Sequence, residues 1–275
     1  MPKWGRIIIM LAAMLTFSCS APLLSPSAES RCPDNNAPSF DTAPVSAASA
    51  AALQIFEPAH LSLIENQARS AAVKVVRPFE DGHGSGTYVK IHGEFVVVTA
   101  AHVVGSYTTM IIEGRDDERV TGRVLYKDDD ADLAVIMVPR LTTRTAAPWR
   151  IQKKKNNLIG VNVNYTGFPG RHDLLTLRGH VASLEHDMIV ANLFGWFGSS
   201  GSGVFDQHGR FLGVVSGIDI GHWGLAIPLD SIVWIAPAWE FDEDVLEVRI
   251  KTAAPLEALN SFPGAAAPRR GTSRD

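Results

Sequence analysis

From residue 73 onward the chain is written in short runs of β-branched and aliphatic residues separated by turns. Val73-Lys74-Val75-Val76 alternates apolar and polar positions, the period of a half-buried strand. Residues 86–91 and 94–99 lie either side of His92-Gly93, which marks a hairpin. Further strand candidates cover 108–112, 119–126 and 133–138, then a second group at 157–163, 174–184, 188–190, 203–205, 211–216 and 224–227. Turn residues interrupt these runs about every 8–12 positions, the spacing of an all-β barrel or sandwich. A helix is predicted on each flank. Leu61, Ile64, Ala68 and Ala71 recur at helical spacing within 58–72, with Pro58 near the start. Residues 230–239 are read as a closing helix with Asp230 as its N-cap.

The flanks are different in character. Residues 22–57 are rich in Ala, Ser and Pro and hold few large apolar side chains, so they are expected to be a flexible tether. Residues 241–275 read as a low-complexity tail, rich in Ala, Pro and Arg from about residue 251. The folded domain is therefore expected over 58–240. At the N-terminus Lys3 and Arg6 precede an apolar stretch over 7–17, followed by small residues up to Ala21. This is the layout of an export signal over 1–21, and the stretch is too short for a membrane span of roughly 20 residues. Two fates fit it: cleavage after Ala21, or lipidation of Cys19 within the sequence Leu15-Thr16-Phe17-Ser18-Cys19. The expected location is outside the cytoplasm, with membrane attachment only through Cys19.

The chain of 275 residues is long enough for one sizeable core or two small ones. A formal charge of −4, with Lys153-Lys154-Lys155 as the one basic run, argues against a nucleic-acid partner. Cys19 and Cys32 lie outside the strand region, so no disulfide framework is expected. No metal-ligand spacing occurs among the histidines, and no metal or cofactor is expected.

Three residues stand out against this background. His102 ends Val98-Thr99-Ala100-Ala101-His102, Asp132 opens Asp132-Leu133-Ala134-Val135-Ile136, and Ser200 lies in Gly198-Ser199-Ser200-Gly201-Ser202-Gly203. Each sits at a strand boundary, where a side chain can face a cleft. Serine holds its proton at neutral pH and needs a base. An ordinary imidazole, titrating near pH 6.5, is suited to that work. A carboxylate on the other ring nitrogen fixes the tautomer and stabilises the imidazolium. Glycines at 198 and 201 permit a sharp turn whose Gly198 and Ser200 amides converge on one point, the requirement for an oxyanion hole. The motif Gly-x-Ser-x-Gly is absent because Ser202 occupies its last position, and the order His, Asp, Ser opposes that of α/β-hydrolases.

Taken together, these motifs resemble the trypsin-like, chymotrypsin-fold serine peptidases, in particular their Deg/HtrA-like bacterial branch. Gly84-Ser85-Gly86-Thr87 is similar to the first hairpin of that branch. Thr99-Ala100-Ala101-His102 and Asp132-Leu133-Ala134-Val135 are similar to its histidine and aspartate motifs. Gly167-Phe168-Pro169-Gly170, the 198–203 loop and Gly224-Leu225-Ala226-Ile227-Pro228 match its second half. The resemblance implies two six-stranded antiparallel β-barrels, about 73–140 and 150–228, with short terminal helices. It also implies endopeptidase action on protein or peptide substrates through an acyl-enzyme, without a cofactor. A catalytically silent, peptide-binding member of the fold is the alternative.

Two departures limit what is carried over. Ser199 replaces the Asp or Asn usual beside the nucleophile, so activation by a freshly cut amine is not expected. Only residues 229–275 follow Pro228, too few for a PDZ domain. The expected substrate pocket is formed by Leu193, Phe194, Ser216, Gly217, Ile218 and Gly224, a lining suited to a small or medium aliphatic side chain. Asp219 or His222 would instead favour a basic or an acidic one.

Overall fold

The computed structural model of the chain describes residues 60–153, 155, 157–222 and 228–253, with the backbone alone at 219–222 and 228–231. The expected leader with Cys19, the whole tether, Gly224 and most of the tail lie outside the described residues.

Six strands close the first barrel: β1 (Ala72–Val76), β2 (His83–Ile91), β3 (Glu94–Thr99), β4 (Thr109–Glu113), β5 (Arg119–Asp128) and β6 (Leu133–Met137). Their order around the barrel is β1-β2-β3-β6-β5-β4, and antiparallel pairing of β1 with β4 completes the ring. The hairpin expected at His92-Gly93 joins β2 to β3, with Ile91 opposite Glu94. Every side chain of β6 is buried, as expected of a continuous run of aliphatic residues covered on both faces.

The second barrel comprises β7 (Asn162–Gly167), β8 (Leu175–Glu185), β9 (Met188–Asn192), β10 (Gly203–Asp206), β11 (Phe211–His222) and β12 (Pro228–Pro237). It closes in the order β10-β11-β12-β9-β8-β7. Val163, Tyr165, Val181, Ile189, Val204, Leu212 and Val215 are among the residues filling its interior. The fold is thus the expected pair of six-stranded antiparallel barrels.

Three expectations are corrected. Residues 230–239 are not a helix, because β12 runs through Pro237 and extends the second barrel beyond residue 228. Ile232-Val233-Trp234-Ile235 pairs with β9 on one side and β11 on the other. Long-range pairing therefore overrides the apparent Asp230 cap. The start of the expected tail is structured: helix α3 (Glu243–Thr252) is capped by the Asp242 side chain, carries acidic residues in its first turn and basic ones in its last. Its Leu246 and Ile250 pack into the core of the first barrel, and Arg249 donates to the Leu125 carbonyl at 3.0 Å. Finally, strand β7 starts at Asn162 rather than at Asn157.

The N-terminal helix is present as α1 (Leu63–Ala71), shorter than the 58–72 pattern because a capping box at Ser62 and Glu65 sets its start. Although α1 runs directly into β1, it lies against the second barrel. Glu65 is buried and forms an ion pair with Arg178 on β8, whose Nη2 donates to Oε2 at 2.7 Å. The Arg178 guanidinium beside it holds the Glu65 carboxyl down at about 2. Arg69 donates to the Leu174 carbonyl (3.3 Å) and to Thr176 (3.2 Å). Helix α1 is therefore a strap across the two barrels.

Candidate active site

His102 lies on α2 (Ala101–Val104), a single turn that follows β3. Such a short helix has no stability of its own. Arg77 secures it by donating from Nη2 to the His102 carbonyl (2.6 Å) and from Nε to that of Val103 (2.9 Å). Asp132 stands immediately before β6 with φ at +55°, a left-handed conformation that Asp tolerates better than most residues.

The two side chains meet. His102 Nδ1 is 3.0 Å from Asp132 Oδ1 and 2.9 Å from Oδ2, and the His102 backbone amide donates to Oδ1 at 2.9 Å. An ionised carboxylate can only accept, so the proton sits on Nδ1 and Nε2 is left as the basic nitrogen.

A third donor comes from the other barrel. The Ser216 hydroxyl donates to Asp132 Oδ2 at 2.5 Å. Pairing between β11 and β12 shifts register between Val215 and Gly217. A bulge of this kind re-aims a side chain, and here it turns Ser216 toward the first barrel. Ser216, expected at the substrate pocket, is thus a hydrogen-bond partner of the carboxylate.

Ser200, half-buried, occupies the turn before β10. Gly198 has φ +93° and Gly201 φ +85°, conformations open to glycine at little cost. Space also demands glycine at 201: a Cβ there would lie 2.1 Å from Thr99 Oγ1 and 2.2 Å from the Ser85 carbonyl oxygen. Among the described residues, the Gly198 and Ser200 amides donate to no protein group, whereas Ser199, Gly201 and Ser202 amides bond to Trp196, Val215 and Ser199 carbonyls. No hydrogen bond joins Ser200 to His102 among the described residues; contacts of this kind commonly tighten only when substrate binds.

Neighbouring residues hold the loop. Buried Ser199 donates to the Trp196 carbonyl at 2.6 Å, closing the turn on itself. Burial pushes the Tyr165 phenol well above the ordinary tyrosine range, so it stays protonated and donates to the Phe194 carbonyl at 2.7 Å. Ser85, on β2, contacts the loop from the first barrel: its amide donates to the Ser200 carbonyl (2.7 Å) and its hydroxyl to the Gly198 carbonyl (2.7 Å).

The expected substrate pocket is only partly assembled. Leu193 is 2% exposed and belongs to the core of the second barrel, so it lines no cleft; its side chain leans over Gly179, where a Cβ would come within 2.9 Å. Phe194 is exposed, as are Trp196 and Phe197 just before the nucleophile turn. Ile218 packs on Gly195, where an added Cβ would lie 2.5 Å from its Cγ2. Gly217 pairs with Trp234. The side chains of Asp219 and His222 lie outside the described residues.

Comparison with known proteins agrees with this geometry. The family model of the trypsin-like peptidase domain matches residues 84–214, the span holding all three candidate residues. Over these residues the chain is similar to the trypsin-like peptidases. The chain is similar to an HtrA-like serine protease of Staphylococcus epidermidis, 28% identical over 201 residues, covering 63% of this chain and 34% of the relative. An HtrA-like serine protease of Staphylococcus aureus is 25% identical over 227 residues, covering 72% and 29%. The chain thus spans about a third of the length of these relatives.

Among solved structures, a serine endoprotease from Yersinia pestis superposes with a TM-score of 0.55 at 18% identity, covering 69% of this chain and 66% of that one. Rv3671c of M. tuberculosis H37Rv, in an inactive mutant form, gives 0.53 at 18% identity, covering 70% and 93%. Both likenesses speak for the fold alone.

Proposed function

We propose that this chain is an exported serine endopeptidase in which His102, Asp132 and Ser200 form the catalytic triad. The observation that carries the reading is the bidentate contact of Asp132 with His102 Nδ1, because it leaves Nε2 basic. In this mechanism Nε2 takes the Ser200 hydroxyl proton as Oγ attacks the scissile carbonyl. The tetrahedral oxyanion accepts hydrogen bonds from the Gly198 and Ser200 amides. The C–N bond then breaks, His102 passes its proton to the leaving amine, and Ser200 is left as an ester. Water, deprotonated by His102, attacks the ester, and its collapse releases the acid and restores the serine. Exposed Phe194, Trp196 and Phe197 favour extended substrates with apolar side chains.

The address rests on the leader-like residues 1–21, with either cleavage or lipidation at Cys19 as its fate. No helix among the described residues is long and apolar enough to cross a membrane.

The test is hydrolysis of unfolded casein and of a peptide library by the wild type and by Ser200→Ala, with fluorophosphonate labelling alongside. The wild type is expected to cleave and to take the label on Ser200, and the variant to do neither. Cleavage unchanged in Ser200→Ala would sink the assignment. Tight peptide binding without turnover by the wild type would favour the binding-module alternative.

A further inference from the structure

We infer that Ser85 is a positioning residue for the oxyanion-binding turn, acting from the opposite barrel through a hydroxyl that never meets substrate. This rests on the peptidase reading above. Ser85 is fully buried on β2, yet its bonds reach into the second barrel. Its amide donates to the Ser200 carbonyl, and its Oγ donates to the Gly198 carbonyl at 2.7 Å while accepting from the Phe168 amide at 3.0 Å. Its own carbonyl accepts from Thr99 Oγ1 at 2.7 Å, three residues before His102.

The consequence follows from the planarity of the peptide unit. Fixing a carbonyl oxygen fixes the direction of the amide hydrogen on the other side of the same plane. The Gly198 amide belongs to the 197–198 plane, whose Phe197 oxygen accepts from the Gly170 amide at 2.6 Å. Gly170 is in the same short turn as Phe168, and Ser85 Oγ holds that turn by the Phe168 amide. His83 adds a second tie, with Nε2 donating to the Phe168 carbonyl at 2.8 Å. Directly, Ser85 also fixes the 198–199 and 200–201 planes, on either side of the one carrying the Ser200 amide. The 199–200 plane itself is held by the Ser202 amide, which donates to the Ser199 carbonyl. The Ser85 hydroxyl, donor and acceptor at once, braces the peptide units beside both oxyanion donors, and the Thr99 bond ties them to the strand that leads to the base.

A purely structural role would lower stability without altering the balance between ground and transition state. The discriminating experiment compares Ser85→Ala and Ser85→Cys with the wild type. Cysteine keeps nearly the same volume but is a weak hydrogen-bonding group, so it serves even if the alanine variant fails to fold. Four quantities are read: kcat and KM on a peptide, affinity for a peptide boronate, substrate affinity on a Ser200→Ala background, and Tm. The expected result is a fall in kcat of about 10–100-fold, a parallel loss of boronate affinity, and little change in KM or in substrate affinity. Wild-type kcat in Ser85→Cys, or losses of kcat and ground-state affinity that keep step with Tm, overturns the inference alone. Absence of Ser200-dependent turnover in the wild type overturns the peptidase reading and this inference with it.

Discussion

The two halves of the candidate site are held in different ways. Asp132 and His102 are joined side chain to side chain, and the carboxylate accepts from three donors, the His102 amide, His102 Nδ1 and the Ser216 hydroxyl. The nucleophile turn has no such clamp on its reactive atoms. It is fixed through its backbone carbonyls and by glycine conformations, while among the described residues the Gly198 and Ser200 amides stay uncommitted. The contrast matches the work proposed for each half. A group that must keep one charge and one orientation gains from being saturated with hydrogen bonds. Groups that must receive charge from a substrate gain from being held in place with their donors free.

The strongest way to break this contrast is to spoil the saturated half. Asp132→Asn suits the left-handed backbone at 132 equally well, so the fold is expected to persist. The amide, however, can present an N–H to His102 Nδ1 and favour the wrong tautomer. A fall in kcat of about 10⁴ is expected with Tm nearly unchanged, measured by peptide hydrolysis and thermal unfolding. A loss below tenfold would mean that the carboxylate does not orient the base.

On the other half, Gly201→Ala attacks the backbone. The new Cβ meets the Ser85 carbonyl oxygen, which cannot swing aside, and the φ of +85° adds strain. The cost is expected at about 3 kcal/mol, a fall of roughly 10 °C in Tm, together with lost activity. A fully stable Gly201→Ala would show that the turn is looser than its contacts with Ser85 and Thr99 suggest.

The same contrast explains what could be read from the chain beforehand. Strands such as 94–99 and 133–138 were legible because their β-branched pattern is local, and the three candidate residues because each sits in its own short motif. Ser216 carried no local signal for its role: the bulge that turns it toward Asp132 arises from pairing with β12. Leu193 next to Phe194 gave no hint of which faces the core, since a register shift of one residue exchanges the faces. The apolar run at 232–235 suits a helix or a strand equally, and β9 and β11 decide. The α3 helix did carry a signal, Asp242 before Glu243 and Asp244 with Arg249 and Lys251 later, hidden by the composition of the residues beyond it.

The alignment of the halves also depends on the strap between the barrels, which acid should loosen. Glu65 lies at about 2 because of Arg178. Glu118 reaches about 2 as well: burial raises it, but hydrogen bonds from the Thr142 and Thr143 hydroxyls and amides more than offset this. A carboxyl depressed in the folded state contributes stability above its unfolded pKa, near 4.5, and that contribution fades as pH falls toward about 2. Stability of the wild type should therefore decline across that window. Glu65→Gln is expected to cost about 2 kcal/mol at pH 7 and to flatten part of the acid decline, leaving the share due to Glu118. Urea unfolding at several pH values measures both; equal slopes in wild type and variant would remove Glu65 from the account.

The smallest change sharpens the comparison most, because it removes a hydroxyl that crosses from the second barrel to the carboxylate. Ser216→Ala leaves Asp132 with both of its His102 bonds. The Asp132 side chain is 20% exposed, so water can take over part of what the hydroxyl supplied. A hydrogen bond to a charged group is worth about 1.5–3 kcal/mol, and partial replacement leaves near 1.4 kcal/mol, or about tenfold in kcat. KM is expected to hold if Ser216 acts through Asp132, and to rise with kcat intact if it belongs to the substrate pocket. The direction of that split, read from steady-state kinetics on one peptide, decides between the role suggested by its place beside the pocket strand and the one its hydrogen bond supports.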